Sequence, residues 1–97
     1  MYRRAFILTF DRDEPLDFKS LHNEIVNVPS VITWSHYIKS SYILIVNTNS
    51  ATDLNKQLME VLSIKRFLII EVNLKNRNGR MPREAWEWFR NQVGRIF

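Results

Sequence analysis

Three carboxylates, Asp11, Asp13 and Glu14, stand within four positions directly after the apolar run AFILTF (5–10). Two chemistries use acids in that arrangement. In the first, Asp13 or Glu14 accepts hydrogen bonds from the opening N–H groups of a helix that has Pro15 in its first turn, while Asp11 holds turn amides. In the second, Asp11 is a ligand for a hard divalent cation. Mg²⁺ prefers oxygen donors, keeps several waters, and takes only one or two carboxylates together with substrate phosphates. One Asp11 per chain becomes a pair if a twofold axis passes close by. Such a pair would hold Mg²⁺ against a scissile phosphodiester and acidify its bound water. Cations able to hold a nucleic-acid backbone are Arg12, beside the acid, and the run Lys75, Arg77, Arg80 and Arg83, which no acid interrupts. Local positive charge of this kind attracts phosphate. The same run also reads as a solvated loop.

Other chemistries find no residues to carry them. The chain has no cysteine, which excludes disulfides and thiolate metal sites. Its two glycines, Gly79 and Gly94, allow neither a P-loop nor a dinucleotide fingerprint. Of the two histidines, His22 falls off the apolar stripe of a helix and is expected to be solvated. His36 shares a strand side with Ile32 and Trp34 and reads as a hydrogen-bonded sheet residue. No Ser-His-Asp arrangement is legible. The net charge of +4 lies wholly in the second half, where nine basic residues face five acidic ones.

The elements that must position these residues follow from periodicity. RAFILTF (4–10) is apolar at nearly every position, the pattern of a strand covered on both faces. Phe18, Leu21, Ile25 and Val28 recur at helical spacing, and Pro29 closes that helix near Asn27. VITWSHYI (31–38) alternates: Ile32, Trp34, His36 and Ile38 share one side, and Val31, Thr33, Ser35 and Tyr37 the other. KSS (39–41) turns the chain into a returning strand, YILIVN (42–47). Ser50 is a good N-cap with Asp53 in the first turn of a second helix, whose stripe is Leu54, Leu58, Val61 and Leu62. RFLIIEV (66–72) is a fourth strand, again apolar on both faces. The order β-α-β-β-α-β is the ferredoxin-like arrangement, an α+β fold with a four-stranded antiparallel sheet. MPREAWEWFRNQVGRIF adds a C-terminal helix from near Pro82, with Ala85, Trp86, Phe89, Val93 and Ile96 on one side. The chain therefore reads as one domain, 1–97, with a core over 1–74, a basic loop over 75–81 and a helix over 82–97.

Two helices cover only one face of such a sheet, yet the first and fourth strands are apolar on both. The second face requires the C-terminal helix, another subunit, or both. A homodimer is the expectation. Trp88, at the flank of the helical stripe, is a candidate interface residue for a second copy or a protein partner of that helix. The longest apolar runs are strand-sized, so no membrane span is expected. MYRRAFILTF lacks the features of a signal peptide, and a cytoplasmic location is the simplest reading. An RNA-recognition module shares the element order, but SSYILIVN carries aliphatic residues where base-stacking rings and glycine are needed.

The strand ending in Phe10-Asp11, followed by this element order in a chain of this length, resembles the smaller CRISPR adaptation protein and the virulence-associated protein D toxins. The resemblance implies a dimer of ferredoxin-like subunits. For members that act as nucleases it implies an Asp at the end of the first strand, paired across the dimer axis, which is Asp11 here. TWSHYIKSSYILI (33–45), NSATDLNKQL (49–58), RFLIIEV (66–72) and GRMPREAWEWF (79–89) are similar to a family of small bacterial proteins called SinR-like or hypothetical. That family implies a fold and no settled activity. The chain departs from the adaptation proteins at HYIKSSYIL, where they carry an Arg and a Ser-Val-Phe motif, and in ending with a Trp-rich helix instead of a swapped strand. Two functions follow as expectations. The first is nucleic-acid binding, DNA or RNA, extending to Mg²⁺-dependent cleavage with Asp11 as metal ligand and catalytic residue. The second is a non-catalytic dimeric assembly or regulatory module.

Overall fold

Four short runs of β-prone residues, interrupted by two amphipathic stretches, take up the predicted architecture. The computed structural model describes residues 3–11, 17–64 and 66–96, the last three of these by their backbone alone. The elements are β1 (Arg4–Phe10), α1 (Phe18–Val26), β2 (Val31–Ile38), β3 (Ser41–Val46), α2 (Ala51–Val61), β4 (Phe67–Val72) and α3 (Arg83–Ile96). The strands form one antiparallel sheet in the order β2-β3-β1-β4. This is the ferredoxin-like fold, α+β in class, with a third helix added after β4.

The main core lies between one sheet face and the first two helices. Phe6 and Leu8 of β1, Leu44 and Val46 of β3, Ile25 of α1, and Leu54 and Leu58 of α2 are all fully buried there. Ser50 caps α2 as its position predicts: its side chain accepts the Asp53 N–H at 3.1 Å. A cap of this kind contributes about 1 kcal/mol. The α2 stripe is narrower than predicted, because Val61 remains exposed while Leu62 packs on the core.

The start of α1 differs from expectation. Asp17 is the N-cap, accepting the Ser20 N–H at 3.2 Å and the Ser20 hydroxyl at 2.9 Å. The helix therefore begins at Phe18, three residues after Pro15. Asp13, Glu14 and Pro15, which the sequence offers as the cap and first turn, lie outside the described residues.

Strand β2 also breaks its predicted alternation. Its pairing with β3 shifts register between Val31 and Thr33 and again between Ser35 and Ile38. An extra residue in one strand turns every following side chain to the opposite face. Val31 thus packs on the main core, while Thr33 faces α3. Trp34 and His36 lie over α1, while Ile38 faces the other side of the sheet, where it helps line a groove beside α3.

The second sheet face is covered in part by the chain itself. The strand registers order this face into rows. The row Thr33, Ile45, Ala5 and Val72 lies under α3, where Ala5, Ile45, Leu74 and Phe89 are buried and Trp86, Trp88 and Val93 pack partly. The next row, Ser35, Ile43, Ile7 and Ile70, is buried at Ser35, half-covered at Ile43 and Ile7, and open at Ile70. The third, Ile38, Ser41, Thr9 and Leu68, lies beyond the helix. Leu68, Ile70 and Ile38 are 55%, 51% and 57% exposed. Helix α3 thus packs on its own sheet. Two-sided apolarity in β4 belongs to an edge strand with one face half-open.

Candidate functional site

Asp11 directly follows β1, beside the start of β4 and at the mouth of an open cleft. The cleft has a volume of about 330 Å³ and is lined by Thr9, Phe10, Asp11, Arg66, Phe67 and Leu68. The Asp11 N–H donates to the Arg66 carbonyl at 3.4 Å, so the two residues face each other across adjacent strand ends. The Arg66 guanidinium donates twice to the same carboxylate oxygen: Nε to Oδ2 at 2.9 Å and the terminal nitrogen to Oδ2 at 2.5 Å. Both side chains are substantially exposed, at 79% for Arg66 and 40% for Asp11. A pair this wet adds little stability, of order 0–1 kcal/mol.

Among the described residues a Mg²⁺ ion would meet one carboxylate here, Asp11, with one oxygen already engaged by Arg66. Among the described residues no three or more His, Cys, Asp or Glu side chains gather as a metal-ligating group. The described donor set therefore falls short of an ion site; Asp13 and Glu14, which follow Asp11 in the sequence, lie outside the described residues.

The described members of the expected phosphate contacts sit in different settings. Arg12 lies outside the described residues. Arg77 folds back: its terminal nitrogen donates to the Leu74 carbonyl at 2.9 Å, and its guanidinium sits 5.6 Å from the centre of the Phe89 ring. Arg83 pairs with Glu87 one turn on, at 3.4 Å. Lys75 and Arg80 are exposed on the loop. Trp88 is half-buried on its own sheet, where its indole N–H donates to the Thr33 hydroxyl at 3.4 Å and its edge meets the Phe89 ring.

A cluster that sequence reasoning missed forms over the sheet end nearest α1. His22 is half-buried instead of solvated: its Nδ1 lies 2.7 Å from the Tyr42 hydroxyl, and its ring meets Trp34 edge-on at 4.6 Å. His36 stacks on Tyr42 at 4.0 Å with 17° between the planes, and its Nε2 lies 3.2 Å from the Lys39 carbonyl. Alternation alone groups Trp34 with His36. Only the register of β2 against β3 adds Tyr42, and only the docking of α1 adds His22.

Burial holds the Tyr42 phenol above its ordinary value of 10.0. The unfolded chain loses that proton first as pH rises. The stabilising contribution of Tyr42 is thus whole below about pH 10 and is lost above it, toward the raised value. The urea midpoint is expected to fall on going from about pH 9 to about pH 11. Tyr42→Phe is expected to fall less over the same interval, and an equal fall in both proteins would remove Tyr42 as the cause.

Among the described residues no helix is long and apolar enough to cross a membrane. No protein-family model matches the chain, and no curated protein or solved structure is detectably similar to it, so its function must be argued from its own residues.

Proposed function

We propose that the chain is a non-catalytic assembly module that pairs with a second copy of itself through β4. The support comes from the state of that edge. Strand β4 is regular through all six of its pairs with β1, from Phe67 to Val72. Its sequence FLIIEV contains no proline, glycine or lysine. Edge strands of monomers are ordinarily guarded by bulges, prolines, lysines or covering elements. The opposite edge, β2, carries two register breaks of that kind. Beside the unguarded edge, Leu68 and Ile70 remain more than half exposed.

Antiparallel pairing about a twofold axis normal to the sheet matches faces only when opposed residue numbers sum to an even value. Centring on Ile69 sets Leu68 opposite Ile70 of the second copy, so the exposed side chains meet each other. Light scattering at micromolar concentration is expected to give twice the 11.7 kDa mass of one chain. A single-chain mass would overturn the proposal.

The open cleft at Asp11 favours a second reading, nucleic-acid handling with Mg²⁺-dependent cleavage. Asp11 would be the ligand, with Arg66 and the exposed Lys75 and Arg80 meeting phosphates. The two readings are incompatible through one interface. Pairing about Ile69 sets Arg66 opposite Val72 of the other copy, which separates the two Asp11 sites by about 20 Å along the strands. One hydrated ion bridges carboxylates only within about 8 Å. The nuclease reading therefore needs a different dimer. It expects Mg²⁺-dependent cleavage of RNA or DNA that Asp11→Ala abolishes without changing the circular dichroism spectrum. Cleavage retained in a clean Asp11→Ala preparation removes it.

A further inference from the structure

Between α3, the loop before it and the uncovered middle of the sheet lies a groove of about 350 Å³. That volume falls within the range of small-molecule sites. Its floor is Ile7, Ile38 and Ile43, and Trp86 and Phe89 form one wall. Among the described lining residues Arg77 alone carries a charge.

Three of the polar side chains at this groove, those of Asn73, Arg77 and Asn78, present donors, while the Asn76 amide can both donate and accept. The Arg77 Nε–H is sealed from solvent and has no hydrogen-bond partner, an uncommon and costly state for a buried donor. Asn73 and Asn78 also line the groove, and their carbonyl oxygens are already used. Asn73 Oδ1 accepts the Lys75 N–H at 2.9 Å, and Asn78 Oδ1 accepts the Gly79 N–H at 2.8 Å. Those backbone donors fix the amide orientation, because only the oxygen can accept; each NH₂ group is left to donate. A positive charge and amide donors beside an aliphatic floor complement a molecule with an apolar body and one anionic head.

We infer that this groove binds a small apolar carboxylate. Arg77 meets the head through its terminal N–H groups, the sealed Nε–H being out of a ligand's reach, and Ile7, Ile38 and Ile43 bed the tail. The groove reaches β4 at Val72 but not at Leu68 or Ile70, and it is tested independently of pairing there. It also accounts for an arginine that turns inward from an otherwise exposed basic loop.

Octanoate and 1-octanol, titrated into the full chain by calorimetry at low salt, separate charge recognition from apolar burial without any variant. Octanoate is expected to bind at least about tenfold more tightly than the alcohol, the worth of one charge-assisted hydrogen bond. Arg77→Leu is expected to remove that difference while retaining the alcohol's affinity, with the melting temperature as the check on folding. Equal affinities in the unaltered protein, or no heat with either probe, would overturn the inference. A groove filled by a second copy would appear as absent octanoate binding together with a dimer that Ile38→Asp dissociates, and that result also overturns it.

Discussion

Phe6→Ala is expected to lower the free energy of unfolding by about 3–5 kcal/mol. Phe6 is fully buried at the centre of β1, paired with Leu44 on one side and Glu71 on the other. Its ring fills the space between the sheet and both α1 and α2, and a rigid sheet cannot close over the void. A domain of this size holds only about 5–15 kcal/mol in total. The loss is thus a fifth of the margin or more, and should appear as a fall in melting temperature of about 12 °C or more. Met59→Ala is the matched control: its side chain is 66% exposed on α2, and the change is expected to stay within about 0.5 kcal/mol. If the two variants melt together, the main core is not where the packing puts it.

Leu68→Lys combined with Ile70→Lys is expected to turn the dimer into a monomer of unchanged fold. Both side chains are more than half exposed in the single chain, so each chain loses little by the change. Across a twofold interface each substitution counts twice, which removes four apolar side chains from the contact. Association should weaken by at least about a hundredfold, even if only part of each side chain's transfer energy is lost. Lysine is also the residue by which natural edge strands resist pairing. Ile32→Lys on β2, an exposed position at the opposite edge, is expected to leave the dimer intact. Loss of the dimer with Ile32→Lys and its survival in the β4 variant would assign pairing to the other edge.

Local pattern carried most of the architecture. RAFILTF announces a strand covered on both faces, and β1 is the inner strand between β3 and β4. Ser50 announces a helix start, because its side chain needs only a backbone N–H three residues on. The failures have different causes, one local and one in the pairing of strands. Asp13 and Glu14 were the expected caps of α1, and Asp17, which the pattern did not single out, holds that place with the Ser20 N–H. The breaks in β2 follow from how β3 lies against it, which no single-strand alternation can report. Gln92 is 7% exposed beneath α3, although its polarity argues for solvent.

The candidate site was legible as residue types and much less as contacts. The position of Asp11 at the end of β1 was readable, but its partner Arg66 lies 55 residues away. Nothing local couples the two until β1 and β4 pair. The inward turn of Arg77 was likewise hidden, since a run of cations reads as solvated until Phe89 is brought beneath one of them.

The unequal size of the two apolar clusters has a consequence for spectroscopy. Among the described residues twelve buried ones tie α1 and α2 to the sheet, whereas four hold α3. Trp86 and Trp88 both ride on α3, which leaves Trp34 as the sole indole on the larger body. Opening free energies follow local burial, so the last helix is the unit that peels first. Tryptophan emission during denaturation therefore reports chiefly on that peeling, while far-ultraviolet dichroism follows the collapse of the remaining domain, and the two curves need not coincide.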